Sequence, residues 1–281
     1  MKARRMPAVA GMFYPASREE LREEIKRSFL HRIGPGRLPR ISKRERRPPA
    51  LIAPHAGYTY SGPVAAHAYL QLEGRRVGTA VVLGPNHYGI GTPVSIYPEG
   101  EWITPLGGVE VDRDLAVELA KLSDIFSLDE VSHEREHSIE VQLPFLQYVL
   151  GEFKLLPICV LDQSLETSIR VGEALGEVLK RRDDLLLVAS TDMTHYEPQE
   201  RAEEKDSKAI AEIRSLNVDG LYGAIIENDI SMCGYGPVAA VLHACKKAGA
   251  SEAELLKYAT SGDVTGDYGS VVGYAALKIE L

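Results

Sequence analysis

The sequence contains few cysteines, no long hydrophobic run and no excess of positive charge. Its 281 residues include only three cysteines, an odd number without a CxxC spacing. This argues against a disulfide framework and indicates reduced thiols. No apolar run approaches the roughly 20 residues that a membrane-spanning helix requires, and no apolar core follows the basic N-terminus, as a secretory signal would need. We therefore predict a cytoplasmic protein without a membrane partner.

The charge balance argues against a nucleic-acid partner. The formal net charge is -8, whereas a general nucleic-acid binder is usually basic. One basic stretch, residues 37–49, is predicted to be a solvated loop rather than a phosphate-binding patch. The chain is long enough for a large core, and no repeat or low-complexity segment divides it. We predict a single α/β domain over residues 1–281.

Short apolar runs alternate with helical patterns along the chain. Four runs, apolar throughout and bounded by turn or polar residues, are typical of strands buried on both faces: residues 50–55, 80–87, 154–161 and 185–195. Four amphipathic patterns predict helices: residues 17–32, 112–123, 137–151 and 164–182. Ser17 and Asp112 are predicted N-caps, and Pro144 predicts a kink or a restart. The alternation predicts an α/β fold with a central, mostly parallel sheet flanked by helices.

Three of the predicted strands end in a turn that contains a histidine, namely His55, His87 or His195. Ligands of open α/β sheets bind beyond the carboxyl ends of the strands, so these three imidazoles could converge. A proline closely precedes both His55 and His87, and glycines follow them. Such turns are stiff and allow close backbone approach, as a rigid metal ligand requires.

Two further residues near these turns have alternative interpretations. Asp192, three residues before His195, either fixes the tautomer of that imidazole or caps the following helix. His137 lies in an acidic stretch and is either a general acid or base near the mouth of the pocket, or part of a charged helix start, which composition favours. The remaining histidines lie in or beside helical patterns and are predicted to have structural roles: His31, His67, His133 and His243.

Cys233 differs in context from the other two cysteines. Free cysteine is usually a small buried hydrophobe, and this is our prediction for Cys159 and Cys245. Cys233 precedes a "GYGP" turn that leads into a helical pattern, and a helix N-terminus favours the thiolate. A nucleophile and a metal ligand both need that environment, so the residues alone leave both roles open.

Six stretches of the chain resemble one protein family: "PAVAGMFYP" (7–15), "APHAGYTYSGPVAAHAY" (53–69), "LGPNHYG" (83–89), "EHSIEVQLPFLQ" (136–147), "STDMTHY" (190–196) and "SMCGYGPV" (231–238). They look like the Memo family, called MEMO1 family protein, or AmmeMemoRadiSam system protein B in prokaryotes. The motifs occur in the expected order nearly from end to end. The resemblance implies a fold similar to the LigB-like class III extradiol dioxygenases, which are non-haem iron enzymes.

The resemblance also implies a metal site. The positions that match the family's ligands are His55, His87 and Cys233, whereas the dioxygenases carry a carboxylate as the third ligand. His195 matches their acid/base histidine, and His137 is a weaker candidate for another pocket histidine. A thiolate is softer than a carboxylate and favours copper(I), zinc or a thiolate-bound iron. Catechol ring cleavage therefore does not carry over.

From these observations we expect a metal-dependent protein with a redox or oxygenase-like role and one transition-metal ion, iron being favoured over copper or zinc. His195 would move a proton, and Asp192 would orient the His195 imidazole. The first alternative is a non-catalytic module that binds a peptide through the exposed-looking "YTYSG" segment, in which Tyr60 would contact the ligand. The second is a hydrolase in which Cys233 attacks and His195 or His87 is the base. The resemblance further implies AMMECR1-like and radical-SAM proteins as partners.

Overall fold

The computed structural model describes residues 3–40 and 45–281, so part of the basic stretch, residues 41–44, lies outside the described residues. The described ranges form twelve strands: β1 (Arg4–Arg5), β2 (Ala50–Ala53), β3 (Thr79–Pro85), β4 (Val94–Ile96), β5 (Glu101–Thr104), β6 (Gly107–Glu110), β7 (Ser127–Leu128), β8 (Lys154–Val160), β9 (Leu185–Ser190), β10 (His195–Glu197), β11 (Glu254–Thr260) and β12 (Val271–Ile279). The same ranges form ten α-helices: α1 (Arg18–Leu30), α2 (Tyr58–Leu70), α3 (Arg113–Leu122), α4 (His137–Glu140), α5 (Leu143–Leu150), α6 (Leu165–Leu179), α7 (Gln199–Arg214), α8 (Val218–Asn228), α9 (Tyr235–Lys247) and α10 (Ser261–Thr265).

Within the described residues, nine strands join in one sheet in the order β10-β12-β2-β9-β3-β8-β4-β7, with β11 paired to β12. The centre of this sheet, β2-β9-β3-β8, is parallel. Antiparallel pairs extend it on both sides, β12 against β2 and β4 against β8. The prediction of a central, mostly parallel sheet flanked by helices is confirmed, and the four apolar runs correspond to β2, β3, β8 and β9.

Alternate residues of the central strands enter two separate cores. Ala50 and Ile52 of β2 belong to the core that includes α6 and α9. Leu51 and Ala53 of the same strand face the opposite core, which includes α1, α2 and α5. Because helices cover both faces, the strands are apolar without alternation.

Local signals explain where several helices begin. The Ser17 hydroxyl accepts a hydrogen bond from the Glu20 N–H, and the Asp112 carboxylate accepts one from the Leu115 N–H. Both predicted N-caps are therefore confirmed. The pattern over residues 137–151 divides into α4 and α5, with Pro144 in the first turn of α5. Of the two expectations for this proline, the restart is correct.

One predicted strand ends early, and the structure contains a second sheet that the sequence did not indicate. The strand expected over 185–195 stops at Ser190, and His195 instead begins the separate strand β10. A second, three-stranded sheet has the order β1-β5-β6, and its buried Trp102 packs in the core of α1, α2 and α5. None of the helices in the described ranges is both long enough and apolar enough to span a bilayer.

Candidate metal centre

Three predicted ligands meet beyond the carboxyl ends of the central strands. His55 follows β2, His87 follows β3, and Cys233 immediately precedes Gly234, the N-cap of α9. The Nε2 of His55 lies 3.3 Å from the Sγ of Cys233. One ligand atom from each of the three side chains lies within 4.8 Å of the other two. The fold thus brings together residues that are far apart in the sequence.

The separation of these atoms fits a shared metal ion. A tetrahedral ion with a metal–sulfur distance of about 2.3 Å and a metal–nitrogen distance of about 2.0–2.1 Å holds S and N about 3.5 Å apart. The observed 3.3 Å between the Nε2 of His55 and the Sγ of Cys233 is close to this value. Two imidazoles and one thiolate also leave a coordination position for another ligand. The donor set therefore fits a transition metal.

The tautomer of His55 is set by Ser190, the last residue of β9. The Ser190 hydroxyl donates to the Ser138 carbonyl over 2.7 Å and accepts a hydrogen bond from the Gln142 amide over 2.6 Å. Its oxygen also lies 2.9 Å from the Nδ1 of His55. Because a hydroxyl has only one hydrogen to donate, Nδ1 must be the donor here. The lone pair of His55 is then on Nε2, which faces Cys233.

The carboxylate of Glu136 fixes the tautomer of His87. One carboxylate oxygen accepts from the Nδ1 of His87 over 2.9 Å, and the other accepts from the His87 backbone N–H over 2.7 Å. Burial raises the pKa of Glu136, but its hydrogen bonds and charge interactions with His87 outweigh burial and lower the pKa to about 2. An ionised carboxylate only accepts, so His87 also has its lone pair on Nε2. Glu136 is also the N-cap of α4, accepting from the Ser138 N–H.

Asp192 connects His55 to Cys233. Its carboxylate accepts from the His55 backbone N–H over 2.8 Å, and its own N–H donates to the Sγ of Cys233 over 3.2 Å. Burial raises the pKa of Asp192 to about 6. Partial burial, together with the Asp192 carboxylate, raises the pKa of the Cys233 thiol. No helix follows Asp192 directly within the described residues, since the next element is β10.

His195 has its own fixed partner. Its Nδ1 lies 2.9 Å from the Ser231 carbonyl, and its backbone N–H donates to the Ser231 hydroxyl over 2.8 Å. A carbonyl only accepts, so Nδ1 is again the donor and Nε2 is the basic atom. Ser231, rather than Asp192, thus fixes this tautomer. These contacts hold His195 against Ser231, two residues before Cys233. His195 also adds to the lowering of the His55 pKa, which burial causes in the first place.

His137 and Tyr60 occupy different positions relative to the pocket. The His137 ring stacks on His87 with 4.5 Å between centroids and lies 5.5 Å from the His55 ring. Burial lowers the pKa of His137 to about 4. It is also the first residue of α4, as the helix-start interpretation expected, and the acid/base role of His137 stays a prediction. In the "YTYSG" segment, Tyr60 is 44% exposed, but Tyr58 is buried and its hydroxyl donates to the Val141 carbonyl.

Sequence reasoning missed the residues that accept from the imidazoles, Ser190, Glu136 and Ser231. Glu136 lies in the acidic stretch around His137, which was a weak signal. Ser190 is a small polar residue at the end of an apolar strand that is central in the sheet, and such a residue often faces a ligand-binding crevice. Nothing in the sequence marks Ser231.

In sequence, the chain is similar to proteins of one family. A family model described as Memo-like protein matches residues 5–278. A MEMO1 family protein of Methanopyrus kandleri is 51% identical over 276 residues, covering 97% of this chain and 98% of the relative. A MEMO1 family protein of Methanocaldococcus jannaschii is 47% identical over 285 residues, covering 98% and 99%. The crystal structure of an uncharacterized protein from Escherichia coli K12 aligns with a TM-score of 0.53 and 16% identity, covering 83% of this chain and all of that one, which supports the fold.

Proposed function

The chain belongs to the Memo-like protein family, and we propose that it holds one transition-metal ion on His55, His87 and Cys233 for a redox or oxygenase-like reaction. The observation that carries the proposal is the convergence of two imidazole nitrogens and one sulfur within 4.8 Å of one another. Both imidazoles present Nε2 because Ser190 and Glu136 hold their Nδ1 atoms. Metal-ligating histidines usually donate their other ring N–H to an acceptor of this kind, so these two contacts support the proposal.

The chain's own residues define what the site can do. When bound, a metal would supply Lewis-acid or redox chemistry. His195 holds a basic Nε2 near the centre, because Ser231 accepts from its Nδ1, and so it can take a proton from a bound substrate. Cys233 supplies the soft donor, which suits iron, copper or zinc better than magnesium or calcium. We propose iron first, in keeping with the likeness to the non-haem iron enzymes.

The Cys–His hydrolase is the second candidate because the Nε2 of His55 lies 3.3 Å from the Sγ of Cys233. The imidazole that contacts the thiol is therefore that of His55, whereas the sequence pointed to His195 or His87. A nucleophilic cysteine needs a lowered thiol pKa. Burial and Asp192 instead raise the pKa of Cys233, which ranks this candidate second.

Elemental analysis of protein purified without added metal and without oxygen tests the proposal. We expect about one metal ion per chain, as for a single preformed site. The double variant His87→Ala/Cys233→Ser should fall to background. His243→Ala is the matched control, because this histidine contacts Glu173 on the helix surface. Unchanged metal in the double variant would refute the ligand set, and a covalent acyl adduct on Cys233 of metal-free protein would favour the hydrolase.

A further inference from the structure

A buried ion pair lies beside residues 133–140, the segment whose Glu136 accepts hydrogen bonds from His87. The side chains of Arg5 and Glu140 are 3% and 1% exposed, and the guanidinium contacts the carboxylate directly. Glu140 also accepts hydrogen bonds from the Ala8 N–H over 2.8 Å and the Val9 N–H over 3.1 Å, and from the Tyr14 hydroxyl. Burying two charges is costly unless their hydrogen bonds are satisfied, and here the carboxylate has four donors.

The other nitrogens of Arg5 bind the backbone of the same segment. Its Nη2 donates to the Glu136 carbonyl over 2.7 Å, and its Nε donates to the His133 carbonyl over 3.1 Å. The guanidinium also lies over the Trp102 ring, 4.3 Å from the centroid. One planar fork therefore fixes three points of residues 133–140 against the small sheet.

Through Glu136, Arg5 is connected to His87, a proposed metal ligand. Arg5 holds the carbonyl of Glu136, and the Glu136 carboxylate holds both the Nδ1 and the backbone N–H of His87. The same N-terminal segment reaches the other histidine turn, because the Phe13 carbonyl accepts from the N–H of Tyr58, three residues after His55. The Phe13 ring also packs on His137 with 4.7 Å between centroids.

We propose that Arg5 and Glu140 are positioning residues for the metal centre: they fix the turn at Glu136 and thereby aim the Nε2 of His87. This inference rests on the proposed function, since it assigns a role within that site. Apolar side chains of similar size often stabilise a core at least as well as a buried ion pair. Stability alone therefore does not require a guanidinium here, and Arg5 uses its remaining N–H groups to bind the backbone of His133 and Glu136.

The test compares cobalt(II) binding by the full chain in wild type, Glu140→Gln and Arg5→Ala. We expect about 10–100-fold weaker binding in both variants, as for other residues that orient ligands. Asp112→Asn is the matched control. It removes another buried carboxylate that contacts an arginine, Arg182, but it lies near Thr79 at the amino end of β3. We expect it to lose stability and to keep its cobalt affinity.

A second measurement does not depend on metal. In metal-free wild type, nitrogen-15 NMR of the imidazoles should show His87 as the Nδ1–H tautomer, and Glu140→Gln should show a tautomer mixture. If Glu140→Gln does not fold, Tyr14→Phe removes only one donor and should shift both readouts in the same direction.

The inference is overturned if the variants keep wild-type cobalt affinity and the His87 tautomer. It is also overturned if Asp112→Asn loses as much affinity at an equal loss of thermal stability. Failure of wild type to bind cobalt would refute the proposed function, and the tautomer measurement would still decide the positioning role.

Discussion

The backbone N–H of Asp192 donates a hydrogen bond to the Sγ of Cys233, with 3.2 Å between the two atoms. A donor in this position favours the thiolate over the thiol. The Asp192 carboxylate has the opposite effect, since burial and that carboxylate raise the pKa of the thiol. The sulfur therefore keeps its proton in the absence of a cation but has a hydrogen-bond donor ready for the thiolate.

We predict that metal affinity falls as pH falls. A thiol whose pKa is raised is protonated at neutral pH, so each bound ion must displace one proton. His55 adds nothing to this dependence, because burial and the neighbouring imidazoles lower its pKa well below the usual value. The dissociation constant for cobalt(II) should rise about tenfold per pH unit between about pH 8 and pH 6.5. Cys245→Ser should leave this slope unchanged, and a flat profile in wild type would argue against thiolate ligation.

Ser190→Ala should weaken metal binding. The change removes the only acceptor that the structure shows for the Nδ1 of His55 among the described residues, so the imidazole loses its fixed tautomer. We expect about a 10–100-fold loss of affinity and a loss of about 1–3 kcal/mol in the free energy of unfolding. Ser168→Ala, which removes a buried hydroxyl bonded to Tyr222, controls for lost stability. Equal affinities in the two variants would show that the Ser190 contact does not matter for the site.

Gly234→Ala should displace Cys233. A Cβ at this N-cap would lie 2.4 Å from the Ser190 carbonyl oxygen and 2.8 Å from the Thr191 Cβ, so the start of α9 must move. We expect a loss of about 1–3 kcal/mol in stability together with weaker cobalt binding. Gly223→Ala is the control, since its Cβ meets nothing within 4 Å in α8. This control should gain about 0.5–1 kcal/mol in the free energy of unfolding. Urea unfolding measures the stability of both variants, and cobalt titration measures their metal affinity.

Asp112 should contribute to stability above about pH 4. Burial raises its pKa, but hydrogen bonds from Thr79 and the Leu115 N–H, with the Arg182 guanidinium, outweigh burial and leave the pKa below its usual value. The contribution is complete above the unfolded-state pKa of about 3.9 and is lost as pH falls through the lower folded-state value.

Urea unfolding from about pH 6 to pH 3 checks this. Asp112→Asn should lose about 1–2 kcal/mol near neutral pH and should show a shallower decline in acid. Asp124→Asn, at a carboxylate whose side chain is 92% exposed, should stay within about 0.5 kcal/mol of wild type. A parallel decline in Asp112→Asn and wild type would contradict the prediction.

The predictable part of the site comes from local signals. His55 and His87 each follow an apolar run and a proline, and parallel strands bring their carboxyl ends to one edge. The "GYGP" turn correctly placed Cys233 beside the start of a helix, now α9. These signals lie within a few residues of each side chain, so the sequence was sufficient for them.

The residues that orient the proposed ligands could not be predicted in this way. Ser190 is separated from His55 by 135 residues, and Glu136 from His87 by 49. Their contacts depend on the strand order and on where α4 begins, and neither is encoded near the histidines. The small sheet escaped prediction for a related reason, because β1 has two residues and β5 and β6 have four each, too few to show a periodic pattern.

The strand order also has a consequence for biosynthesis. β9 lies between β2 and β3, so the two strands that lead to His55 and His87 have no direct pairing with each other. A ribosome releases the chain from its N-terminus, and both histidines therefore emerge well before the strand that separates and aligns them. Cys233 emerges later still. The proposed ligand set of His55, His87 and Cys233 is therefore complete only after β9 has inserted between β2 and β3 and α9 has docked.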